Sequence, residues 1–158
     1  MTRVHLRRIA YIAAMLCALG PASPARAQVG IGTWVRTAGP QTPGKITMTV
    51  EACCNGGRRL IWRFSIPDQP VQTMLVESPF DGREVPVLLN GKPSGETMAI
   101  KVVDARHTSC VVKMNGKPFG TSKGTISADG RTLTVENDFS GSVGGNPAGK
   151  HTETWVRK

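Results

Sequence analysis

The sequence predicts an all-β protein, an antiparallel up-and-down meander that closes into a small barrel of about eight to ten strands. Three observations lead there. Turn-forming dipeptides recur at short intervals, the segments between them alternate apolar and polar residues, and no convincing helical pattern follows residue 28. A meander of this many strands leaves two exposed edges unless the sheet closes, and closure removes both.

The turns are Asn55-Gly56-Gly57, Asp81-Gly82, Asn90-Gly91, Asp104-Ala105-Arg106, Asn115-Gly116, Asp129-Gly130 and the glycine-rich stretch 141–149. Asn-Gly and Asp-Gly supply the positive φ angles of tight hairpins. A short first strand falls at 31–36, then strands at 44–52, 58–66, 70–77, 84–89, 96–104, 107–114, 119–127, 131–138 and 149–157. Alternation is clearest where Ile46, Met48 and Val50 face away from Thr47 and Thr49, and where Leu60, Trp62, Phe64 and Ile66 oppose Ile61, Arg63 and Ser65. The same parity groups Met98, Ile100 and Val102, then Cys110, Val112 and Met114, then Leu133 and Val135. On the last strand neither phase is apolar throughout. Either Trp155 points inward with His151, Glu153 and Arg157, or Thr152, Thr154 and Val156 do. The phrase Asn-Gly-Lys-Pro occurs at 90–93 and 115–118, but the flanks differ, so both read as reused turns rather than a repeat.

The amino terminus has a different character. Arg3, Arg7 and Arg8 precede the apolar run from Ile9 to Leu19, and Ala25-Arg26-Ala27 is a small-x-small triplet, so residues 1–27 read as a secretory signal peptide cleaved before Gln28. The run is too short for a membrane anchor: about eleven residues rise about 16 Å as a helix against a hydrocarbon core of about 30 Å. Leu16 before Cys17 disfavours lipid attachment, and Arg7-Arg8 lacks the surroundings of a fuller twin-arginine signal. The expectation is a single domain over 28–158, periplasmic or secreted, with no membrane span after processing. Losing Arg3, Arg7, Arg8, Arg26 and no acid lowers the formal charge from +9 to +5. The remaining basic residues form no cluster, so nucleic acid is not an expected partner.

Gly32-Thr33-Trp34 resembles the Gly-x-Trp that opens lipocalin-like (calycin-type) barrels. That resemblance implies that Trp34 plugs one barrel end under an arginine from a late strand, here Arg157. The chain also resembles exported bacterial domains of unassigned activity that open with Gly-Thr-Trp, through Phe80-Asp81-Gly82-Arg83-Glu84-Val85-Pro86 and the run from Ser127 to Val135. Phe80 stands where that group has tyrosine. The resemblance implies a fold and carries no activity, although lipocalin-like barrels often bind small apolar molecules.

No nucleophile elbow, phosphate-binding glycine loop or two-histidine helix motif occurs after residue 27, so the chain is expected not to be an enzyme and no cofactor is expected. Three cysteines remain after processing, an odd number for an oxidising compartment. Counting the turns of a meander puts Cys53 and Cys54 at one rim, with His107 and Cys110 just after another turn at the same rim. A bridge from Cys110 to Cys53 or Cys54 would close a loop of about 57 residues, worth about 4 kcal/mol in the chain-entropy model. A vicinal Cys53-Cys54 bridge and a disulfide-linked dimer through the spare thiol are the alternatives. A zinc site of Cys53, Cys54, His107 and Cys110 is the weaker option, because adjacent cysteines rarely both reach one ion.

The inward residues Met48, Trp62, Phe64, Met98, Ile100, Val112 and Met114 are the candidate lining of a ligand cavity. A small barrel can equally fill its interior, and with no polar anchor clearly placed inside, a filled core is the simpler expectation. The leading functional expectation is an exported, non-catalytic barrel that binds a small apolar or amphipathic molecule. The alternatives are a packed structural or interaction domain of the cell envelope, and a thiol- or metal-handling protein.

Overall fold

The computed structural model describes residues 30–40, 44–142 and 146–158; the expected signal peptide lies outside them. Ten strands follow one another: β1 Gly32–Ala38, β2 Lys45–Cys53, β3 Gly57–Ser65, β4 Gln72–Ser78, β5 Asp81–Leu89, β6 Lys92–Val102, β7 His107–Met114, β8 Lys117–Ile126, β9 Thr132–Phe139 and β10 Gly149–Arg157. Each pairs antiparallel with its neighbours in sequence, and β1 pairs with β10, closing the barrel as expected. Trp34 lies opposite both Arg157 and Met48, and Lys158 N–H donates to Thr33 O at 2.9 Å. One 3-10 turn, Cys54–Gly56, links β2 to β3, and no described helix is long and apolar enough to cross a membrane.

The turns act as their composition implies. Asn90 and Gly91 have φ of 50° and 77°, and Asn115 and Gly116 have 50° and 75°. Two consecutive positive φ angles match the right-handed twist of the strands they join. The longest departures from the expected boundaries are in β5 and β6, which begin three and four residues early, at Asp81 and Lys92. Pro86 and Pro93 lie within these two strands although proline has no N–H to give a ladder. The register shifts between Asp81 and Glu84 and again between Pro86 and Leu88, and bulges of this kind accommodate residues that cannot join a regular ladder.

The inward phases of the strands meet in one core, which includes Trp34, Ile46, Val50, Leu60, Val76 and Trp155. The inward phase of β8 is unlike the rest: Gly120, Ser122 and Gly124 precede Ile126. The Phe139 ring packs against Gly120, where a Cβ would collide with it. Ser122 and Gly124 both border open space inside the barrel.

Candidate functional site

Pairing settles the parity of β10. Trp155 lies opposite Arg36 and Leu133 and is buried, so His151 and Glu153 also face inward. Glu153 is held on two sides: Arg36 Nη1 donates to Oε1 at 2.9 Å and Trp155 Nε1 donates to Oε2 at 3.2 Å. Both charged side chains of this ion pair are more than nine-tenths buried, and the added tryptophan bond offsets part of the cost of desolvating them.

Next to this pair the barrel encloses a cavity of about 190 Å³. Its wall is mainly apolar, with Met48, Leu60, Met74, Ile100 and Val135 prominent, and Ser122, Asn137 and Glu153 add polar atoms. A smaller compartment of about 70 Å³ adjoins it and shares Trp62, Met98, Phe139 and Trp155 as walls. Arg36, Phe64 and Glu96 belong to the smaller compartment alone. Of the candidate lining residues, Met48, Trp62, Met98 and Ile100 border the larger space, and Phe64 borders the smaller. Val112 is buried in the wall and Met114 is half-buried; neither borders either space. The interior is therefore not the filled core that the sequence made the simpler expectation.

Several polar groups inside are incompletely satisfied. Ser122 Oγ donates to Asn137 Oδ1 at 2.6 Å, yet Asn137 Nδ2, Asn146 Oδ1 and His151 Nε2 are buried with no hydrogen-bond partner among the described residues. Such atoms are rare in folded proteins, because each forfeits the hydrogen bonds it made with water. Asn137 lies opposite both Ser122 and His151, so the set belongs to one side of the barrel, β8 to β10, with Asn146 in the loop between β9 and β10. Burial pushes the Glu96 carboxyl up to about 7. Burial and the nearby Glu96 push the Cys110 thiol up to about 12. A thiol held protonated in this way is a poor nucleophile.

Sequence reading missed Glu96, Asn137 and Asn146, and it left Glu153 open as part of one of the two phases of the last strand. Two of them were accessible by phase: Glu96 is two residues before Met98, and Asn137 two after Val135. Asn146 lies within the glycine-rich stretch, where no periodicity exists to place it.

At the rim the cysteines depart from the expected bridge. The Cys53 and Cys54 sulfurs lie 2.03 Å apart, and Cys110 is unbonded. Cys110 is the fourth residue of β7, opposite Ile100 and Ser122, so its side chain projects into the barrel below the rim and the cross-mouth bridge is not made. The set Cys53, Cys54, His107 and Cys110 is likewise not assembled. His107 Nδ1 lies 2.7 Å from Asp104 Oδ2, and the ligating atoms grouped with Cys53 and Cys54 belong to the exposed Glu77. With the two sulfurs bonded to each other, neither is available as a thiolate. Trp34 is fully buried, its Nε1 donates to Gly30 O at 2.8 Å, and the Arg157 guanidinium lies over its ring at 4.7 Å.

A closed ten-strand antiparallel barrel with an internal cavity is a small lipocalin-like barrel. Solved structures agree on that fold. The wild-type fluorescent protein UnaG matches with a TM-score of 0.56 at 14% identity, covering 82% of this chain and 97% of that one. Its asparagine-to-alanine and asparagine-to-glutamine mutants match with TM-scores of 0.57 at 13% and 14% identity, covering 82% and 81% of this chain and 96% and 95% of theirs. No family model and no curated protein sequence matches this chain, so the resemblance to exported bacterial domains has no support from that side.

Proposed function

We propose that this barrel is a non-catalytic carrier or buffer, working after export, that holds one small, largely apolar molecule with a polar end. The observation that supports the reading is the cavity of about 190 Å³, apolar over most of its wall and edged by buried polar atoms that lack partners. Apolar cavities of about 150 Å³ bind benzene, and pockets for drug-sized ligands start near about 300 Å³, so the space suits a ligand of about ten to fifteen non-hydrogen atoms. At the efficiencies of small ligands this gives dissociation constants in the micromolar to submillimolar range. Flexible Met48, Met74 and Met98 side chains let the wall adjust to its occupant.

Export rests on the basic, apolar and small-x-small pattern of residues 1–27. The packed interaction domain is the competing reading, and an open interior counts against it.

Native mass spectrometry of the protein taken from its own compartment, with and without thiol alkylation, tests the proposal. The expected result is a chain beginning at Gln28 that carries a bound small molecule. A bare chain that also fails to take up an apolar dye would remove the carrier reading.

A further inference from the structure

The smaller compartment has a composition of its own. Four aromatic side chains, Trp62, Phe64, Phe139 and Trp155, surround two carboxyl groups and one guanidinium, those of Glu96, Glu153 and Arg36. The charge of Glu153 is answered by Arg36 and Trp155. That of Glu96 is not. Its backbone N–H donates to Ser94 Oγ at 3.2 Å, but no described residue bonds or pairs with its carboxyl, although the residue is only 6% exposed. Asn146 Oδ1, in the wall of the same compartment, also lacks a donor. The unanswered atoms facing this space are therefore acceptors. A carboxyl largely withdrawn from water without a protein partner is costly, and a donor supplied from outside the chain would offset that cost.

The complementary group donates several hydrogen bonds, is positively charged, and rests well against aromatic faces. An ammonium does all three. A carboxylate ligand would meet Glu96 and Glu153 in surroundings where like charges are weakly screened, and a hydroxyl has only one proton to donate. We propose that the smaller compartment is an amine-binding site, in which Glu96 holds the ammonium group of a small amphipathic amine among these four rings while the apolar body of the ligand fills the larger cavity. This rests on the carrier reading above and narrows it to one ligand class.

The test is calorimetric titration of the full chain at pH 8 with 2-phenylethylamine, 2-phenylethanol and 3-phenylpropionate, with fluorescence of the wall tryptophans as a second readout. At that pH the amine keeps its proton and the Glu96 carboxyl, pushed up to about 7, is mostly ionised. The other titratable groups facing this region are Arg36 and Glu153 in the compartment and the protonated Cys110 thiol close by. The amine is expected to bind about 10-fold or more tighter than the alcohol, as a charge-assisted hydrogen bond in a buried site implies, and the carboxylate weakest. Glu96→Gln, which keeps the shape and removes the charge, should abolish the preference and leave the alcohol within about 3-fold of its wild-type affinity. Equal or tighter binding of the alcohol or the carboxylate by the wild-type chain, or an amine preference that survives Glu96→Gln, would overturn the amine site and leave the carrier standing. Failure of all three probes to bind would overturn both.

Discussion

Glu96 illustrates how one residue can set the pH response of a whole barrel. Its carboxyl titrates near its ordinary 4.5 when the chain is unfolded and at about 7 when folded, because burial disfavours the charged form. Below 4.5 the group is neutral in both states and costs nothing. Between 4.5 and 7 the unfolded chain releases the proton first, so stability falls as pH rises, and above 7 the full cost applies, about 3 kcal/mol. Glu96→Gln should therefore stabilise the ligand-free protein by about that amount at pH 8 and by almost nothing at pH 4, as read from denaturant unfolding at the two pH values. An equal gain at both would show that the substitution acts through packing rather than charge.

At the scale of the strand and its turns, the β2–β3 corner places two adjacent glycines under different constraints. Gly56 has φ +93° and open space where a Cβ would go, so alanine there meets only backbone strain. Gly57 has φ −81°, comfortable for any residue, but a Cβ would sit 2.5 Å from Ser78 O and 2.9 Å from Pro79 Cα at the end of β4. Thermal unfolding should show Gly57→Ala costing about 2 kcal/mol or more, against about 1 kcal/mol for Gly56→Ala. The reverse order would mean that the end of β4 at Ser78 and Pro79 yields without resistance. Strand phases were legible on β2, β3, β6, β7 and β9, where a short window carries a biased alternation, as in Leu60, Trp62 and Phe64. They were not legible on β10, where His151, Glu153, Trp155 and Arg157 compete with Thr152, Thr154 and Val156 and neither set is clearly the core face.

For the molecule as a whole, the open interior is the property on which the functional reading depends. Val135 lies on the cavity wall and is half-buried, so Val135→Phe projects a ring into open space. In a barrel with a real cavity this should leave the unfolding midpoint unchanged or raise stability by about 1 kcal/mol, while abolishing uptake of a small apolar ligand. In a packed barrel the same change would overpack the core and cost about 1 to 3 kcal/mol. Calorimetry of the variant with and without ligand separates the two cases. The cavity lies beside the small inward residues Ser122 and Gly124, and those residues look unremarkable until β7 and β9 are brought against them.

Sequence alone specifies the order of the strands, the hairpin connections and most of the inward residues, because turn chemistry and period-two alternation are local and survive without a partner. It also put Cys53, Cys54 and His107 at one rim, since counting hairpins needs only topology. The tertiary structure decided the parity of β10, the burial of the Glu153–Arg36 pair, the separation of Cys110 from the other two cysteines, and whether the centre is filled. Each of these depends on how β1, β8, β9 and β10 meet when the sheet closes. Closure relates residues more than a hundred positions apart, and no local pattern carries that information.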